Sequence, residues 1–315
     1  MAPRIIAVCG ATGTQGGAVV RHLSKNSDFH IRALTRNPTG DAAKKLASLP
    51  NVTVVKADLS DAETLNSAFD GAEAVYAMTN YYDPKVQEHP WEEACQGKLM
   101  ADVAKKTGVR LFIWSTVPSA YQRTDGEIFT RLVENKTAVS DHLAKIDLPH
   151  VNLHLGFYFD NWVNFGSIAR DDDGVVSVTQ PVLNGDTKIG MIYLERDLGP
   201  TVEALLNNYK TDPSIVGGEF YCVGGLYSTN DCVDAIKKVL HKDARFVKAE
   251  TSGLTELDVM YRYYNKWGLY QEVQLPQPKL VSWGVKFGGI EDFVASSVQP
   301  YLETLGLNSI SYRGY

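Results

Sequence analysis

Cysteine is scarce: four of 315 residues (Cys9, Cys95, Cys222 and Cys232), with no pair at C-x-x-C spacing. That excludes a zinc ribbon or a dithiol redox motif and offers no disulfide framework. Cys9 and Cys222 fall inside strand-like runs, where a buried reduced thiol is the default. The seven histidines include no H-x-x-x-H pair on a helix, and His150 and His154 share a strand face without an acidic co-ligand. Asp171-Asp172-Asp173-Gly174 lacks the spaced oxygens of a calcium loop and reads as a solvated turn; no metal is expected. Basic charge is not in excess, with 31 Lys and Arg against 37 Asp and Glu and a net charge of −6, which argues against direct contact with nucleic acid. No apolar run is long enough to span a bilayer, and the first core strand begins by Arg4 without a signal or transit pattern. These features point to a reduced, cytoplasmic protein. Repeats, low-complexity tracts and linkers are missing too. What remains, 44% hydrophobic and 22% charged, is ordinary globular composition.

Against that background one segment stands out. The apolar run Ile5-Ile6-Ala7-Val8-Cys9 enters Gly10-Ala11-Thr12-Gly13-Thr14-Gln15-Gly16-Gly17, and Ala18 to Leu23 continues as a helix. Glycine lets backbone pass close to a ligand, and a helix start offers unpaired N–H groups to a pyrophosphate. The spacing is G-x-x-G-x-x-G, a variant of the dinucleotide-binding fingerprint. A second strand, His30 to Arg36, ends at Asn37-Pro38-Thr39-Gly40. Where an NAD-selective site carries an acid for the ribose hydroxyls, this chain has Thr35 and Arg36. A guanidinium can grip a ribose 2′-phosphate with forked, charge-assisted bonds, so the expected cofactor is NADP(H).

Strand and helix patterns then alternate: strands at Val52–Ala57, Ala74–Thr79, Leu111–Ser115 and Val151–Leu155, helices at Asp61–Phe69, Trp91–Lys106 and Glu127–Ile146. Repeated βα units with apolar strands predict a doubly wound, Rossmann-type parallel sheet, with ligand at the carboxyl ends of its strands. After Gly156 the rhythm loosens, leaving the pairs Ile189–Leu194 with Asp197–Asn208 and Glu219–Val223 with Asn230–Leu240. The division expected is residues 1–156 as the dinucleotide-binding domain, its sheet completed by later strands. Residues 157–315 are expected mostly as a smaller α/β substrate lobe. Within it, Met260 to Gly268 has an aromatic helix pattern, read as core packing or as the wall of an apolar pocket.

In the helix expected from Glu127, Ile128, Leu132, Val139, Leu143 and Ile146 form one stripe, and Lys136 projects from or beside it. A lysine near a buried face either snorkels or serves a site.

Taken together, the turn GATGTQGG, Thr35-Arg36-Asn37-Pro38, Thr79-Asn80-Tyr81, Gln96-Gly97-Lys98, Lys136 and Tyr158-Phe159-Asp160-Asn161 resemble the NmrA-like branch of the atypical short-chain dehydrogenases/reductases. The resemblance implies that Gly10, Thr12, Gly13, Thr14, Gln15 and Gly16 hold the pyrophosphate, and that Thr35, Arg36 and Asn37 hold the 2′-phosphate end. It implies Asp58 and Leu59 beside adenine, and Thr79, Asn80 and Tyr81 along the ribose and phosphate path. Lys136, Tyr158, Phe159 and Asn161 fall near the nicotinamide half. Catalysis would rest on Lys136, Tyr158 and Ser115, with Thr116, Ser119 and Tyr121 as further hydroxyls nearby. One departure is plain: active short-chain dehydrogenases commonly carry Tyr-x-x-x-Lys, and four residues before Lys136 stands Leu132, although relatives resembling the isoflavone-reductase group work with the lysine alone. Two functions follow. The chain is an NADPH-dependent reductase of a small apolar carbonyl or enone compound, or a non-catalytic NADP(H) redox sensor acting on a protein partner such as a transcription factor. The second would allow a nuclear site, and the sequence leaves a homodimer open.

Overall fold

The computed structural model describes residues 2–171 and 173–305; Asp172 of the acidic turn lies outside the described residues. Seven strands, β1 (Arg4–Val8), β2 (Phe29–Thr35), β3 (Val52–Lys56), β4 (Ala74–Ala77), β5 (Leu111–Thr116), β6 (His150–Leu155) and β11 (Glu219–Cys222), form one sheet in the order β11-β6-β5-β4-β1-β2-β3. Every neighbouring pair is parallel. The order reverses between β1 and β4, so a crevice opens at their carboxyl ends. Side chains alternate across the sheet. Ile6 and Val8 join Val19, Leu23, Leu198 and Val202 on one face; Ala7 and Cys9 join Met100, Trp114 and Val139 on the other. This is the doubly wound fold that the alternating apolar segments require.

The helix Leu194–Asn208 comes from the second half of the chain but lies against Thr14–Leu23. Gly199 makes that approach, since a Cβ there would stand 2.2 Å from the Cβ of His22. One turn on, His22 meets Glu203 at 2.6 Å. The remaining strands, β7 (Phe157–Tyr158), β8 (Ile168–Arg170), β9 (Val176–Pro181), β10 (Ile189–Ile192), β12 (Gly225–Tyr227) and β13 (Ala244–Ala249), build two three-stranded sheets, β12-β10-β7 and β13-β9-β8. They enclose an aromatic core including Phe159, Trp162, Tyr261 and Phe293. Among the described residues no helix is long and apolar enough to cross a membrane.

One element begins later than its periodicity suggests. The helix carrying Lys136 runs Arg131–Leu143, leaving Ile128 in the irregular segment before it, where its N–H donates to Thr124 Oγ1 at 2.9 Å. Arg131 N donates to Glu256 Oε2 at 2.8 Å, so a carboxylate distant in sequence caps the helix. The expected stripe is also divided. Leu132 packs against the second-lobe core, whereas Val139 and Leu143 enter the core under the main sheet.

Candidate active site

The glycine turn sits at the end of β1, next to the crevice. Gly10 has φ +61°, and a Cβ there would stand 2.4 Å from Met78 Sδ. A Cβ at Gly16 would meet Gly10 O at 2.5 Å, so the helix can rest on the strand end only with glycine in place. Ala11 N donates to Leu34 O at 3.2 Å, which ties the turn to β2. The helix Thr14–Leu23 starts at Gly13 with no side-chain cap and no acidic residue in its first turn. Thr12, Gly13 and Thr14 are exposed there. Gly13 N is taken up by Gly10 O at 2.9 Å within the turn; the uncapped helix start beyond it, with no acid in its first turn, is suited to an anion.

Gln15 joins three elements. Its Oε1 accepts from Tyr76 Oη on β4 at 3.0 Å and from Ser115 Oγ on β5 at 2.9 Å. Its Nε2 donates to the hydroxyl of Tyr158 on β7. Tyr158 therefore accepts from Gln15 and keeps its own proton for another partner. Burial pushes that hydroxyl well above the ordinary tyrosine range, the bond from Gln15 offsetting only part. Tyr158 stays a neutral donor.

Lys136 does not snorkel. Its ammonium pairs with Glu93, whose side chain is 0% exposed, and donates to Thr79 Oγ1 at 3.3 Å. Thr79 donates to the same Glu93 oxygen at 2.8 Å, and Asn135 Nδ2 reaches Pro90 O at 3.1 Å and Glu93 Oε2 at 3.4 Å. Of the three N–H donors on an ammonium, one remains for a ligand. Gly97, one turn beyond Glu93, makes this approach feasible, because a Cβ there would lie 2.4 Å from Val139 Cγ2. Glu93 escaped the sequence reading, although it carries the same signal as Lys136: a charge on the face that continues through Gly97, Met100 and Ala104.

Gln15, Ser115, Lys136, Tyr158 and Asn161 border a cavity of about 180 Å³. Most of its other walls are apolar, with Leu132, Phe157, Leu257, Met260, Tyr261 and Tyr264 among them. The aromatic helix, Thr255–Trp267, thus supplies both core and pocket wall. At the opposite end of the crevice, Arg36 pairs with Asp83 at 2.6 Å and Lys85 with Asp58 at 3.0 Å. Thr35 Oγ1 accepts from Asn37 N at 3.2 Å, Asn80 Oδ1 accepts from Tyr82 N at 3.1 Å, and Tyr81 O accepts from Gln87. Leu59 is half-buried against the core under the sheet.

Three residues point elsewhere. The Phe159 side chain is fully buried among Trp162, Tyr227 and Phe293, away from the crevice. Ser119 donates to Glu134 at 2.8 Å and caps Ala120–Arg123, while Tyr121 is exposed against Phe129. Thr116 lines the cavity and meets Ser140 Oγ at 3.2 Å.

The sequence model of the NmrA-like family matches residues 3–299. The chain belongs to the NmrA-like family. An NmrA-like family domain-containing oxidoreductase of Aspergillus hancockii is 28% identical over 273 residues, which cover 81% of this chain and 80% of that protein. In fold the chain is similar to NmrA, a negative transcriptional regulator. In complex with NAD, NmrA gives a TM-score of 0.82 at 19% identity over 98% of this chain and 99% of that one. In complex with NADP it gives 0.80 at 18% over the same shares. The NADPH-dependent quinone oxidoreductase QOR2 of Escherichia coli, complexed with NADPH, gives 0.68 at 20% over 92% and 98%. Four residues before Lys136, Leu132 supplies an apolar wall of the cavity, and Tyr158 brings a hydroxyl to that cavity from another element.

Proposed function

We propose that this NmrA-like protein is an NADP(H)-dependent oxidoreductase that reduces a small, neutral, apolar carbonyl or enone compound. The observation that carries the reading is that Tyr158 and Ser115, joined through Gln15, and Lys136 all line one largely apolar cavity beside the glycine turn. The turn fits a dinucleotide: its helix start is uncapped, and a Cβ at Gly13 would meet only Gly10 O, at 3.3 Å. Gly10 to Gly16 would hold the pyrophosphate and Arg36 the 2′-phosphate. Asp58 and Leu59 would border adenine, and Thr79, Asn80, Lys136 and Asn161 would follow the ribose and nicotinamide. When bound, the dinucleotide supplies a hydride. The chain's part is to hold the substrate oxygen: Tyr158, oriented by Gln15, donates to it, with Lys136 as proton donor or organiser. The apolar walls exclude water.

A non-catalytic NADP(H) sensor is the second reading, favoured by Leu132 at the usual tyrosine position and by the commitment of Lys136 to Glu93. The test is NADPH consumption against a panel of aldehydes, ketones and enones, with Tyr158→Phe alongside. General acid–base assistance is worth about 10²–10⁴-fold in rate, so loss on that scale with intact NADPH affinity supports the enzyme. Tight NADPH binding with no oxidation across the panel supports the sensor.

A further inference from the structure

The segment after β4 crosses the adenosine end of the crevice and is tied down there. Because β4 and β2 flank β1, the pair between Arg36, just beyond β2, and Asp83, beyond β4, spans the end of β1 where the glycine turn begins. The partners are unequal. Asp83 has a side chain only 8% exposed, and its Oδ1 also accepts Lys85 N at 3.0 Å as the cap of Pro84–Glu88. Arg36 is 54% exposed. Asp83 is built in, and Arg36 is the member free to turn. Lys85, the neighbouring cation, is engaged by Asp58.

We propose that Asp83 is a specificity-determining residue for the nucleotide: an internal anion that competes with a ribose 2′-phosphate for Arg36. The inference rests on the reading of Arg36 given above. A phosphate that takes Arg36 leaves Asp83 as a nearly buried carboxylate without its cation, which is costly. A phosphate that shares Arg36 is held close to a like charge. Either way NADP(H) binding carries a penalty that NAD(H), with plain ribose hydroxyls, does not meet. Arg36 sets the preference for the phosphorylated cofactor, and Asp83 narrows it.

Calorimetric titration of the full chain with NADP⁺, NADPH and NAD⁺ tests this, on the wild type, Asp83→Asn, Arg36→Ala and the double variant. Asparagine keeps the size and the acceptor for Lys85 N; Asp83→Ser, also a good cap, is the second variant should the first fold poorly. Asp83→Asn is expected to tighten NADP⁺ and NADPH by about ten-fold, the worth of one charge-assisted contact. NAD⁺ should stay within about three-fold, a few tenths to half of such a contact on the same scale. The gain should vanish in the Arg36→Ala background. Unchanged or weaker NADP⁺ binding in both Asp83 variants overturns the proposal, weaker binding meaning that Asp83 pre-orients Arg36. A distinct failure is Arg36→Ala losing equally for both cofactors, or a wild type that binds neither. That would remove the underlying reading of Arg36 and the proposal with it.

Discussion

Lys136 and Glu93 show what a single buried charge demands of its neighbours. Removing one member of a buried pair leaves the other uncompensated and typically costs about 3–5 kcal/mol. Lys136→Ala is therefore expected to lower the melting temperature sharply as well as any turnover, since Glu93 is fully enclosed. Turnover lost in that variant alone would not separate chemistry from structure. Lys136→Met combined with Glu93→Gln removes both charges at similar volume and should recover most of the melting temperature while turnover stays lost. Recovery of turnover in the double variant would show that Lys136 serves the fold alone. Lys136 was legible in the sequence because an ammonium beside an apolar stripe calls for a reason. Gln15 was legible only as a member of the glycine turn. Its side-chain role depends on Tyr76, Ser115 and Tyr158 arriving from three strands, which no local pattern encodes.

The helices Glu92–Lys106 and Arg131–Leu143 have their spacing set by Gly97. A methyl group there would stand 2.4 Å from Val139 Cγ2 and 3.2 Å from the Trp114 ring, and neither the branched valine nor the buried indole can swing away. Overpacking of this kind typically costs about 1–3 kcal/mol. Gly97→Ala should lower the melting temperature, and Val139→Ala added to it should restore part of the loss. Additive losses instead would show that the contact does not govern the spacing. At this scale the sequence was readable where apolar periodicity was long, as in the first six strands and the longer helices between them, whereas the short helices Asp41–Ala47, Pro84–Glu88 and Ala120–Arg123 were not read. It was less readable where the partner was remote. The start of Arg131–Leu143 depends on Glu256, and strands as short as Phe157–Tyr158 are too brief for periodicity and exist only through their neighbours.

For the molecule as a whole, one buried carboxylate ties the second half of the chain together. Asp197 accepts Gly288 N at 2.8 Å and Tyr193 N at 3.2 Å. Burial raises its pKa from 3.8 to about 7, the two backbone bonds opposing that only in part. A carboxyl whose folded pKa is raised contributes stability that is fully present below the unfolded value and is lost as pH rises through the folded one. The melting temperature of the wild type should therefore fall between pH 5 and pH 8 more steeply than that of Asp197→Asn, which has no proton to lose. Parallel slopes for the two proteins would show that Asp197 titrates normally. Asparagine also loses one of the two acceptors, so its absolute stability should be lower at acidic pH.

The place of β11 beside β6 has a consequence for how the chain is made. On a ribosome, β6 emerges with its outer edge bare, and Glu219, which pairs with Asn152, follows only after most of the smaller sheets have appeared. Until then the backbone of Asn152 to Leu155 is an open template for any strand that drifts past, the usual route to aggregation. A fragment ending at Gly156 would keep that edge bare permanently. The chain just after β6 is thus a poor place to cut: the nascent chain is safe only once its later half has returned to finish the earlier one.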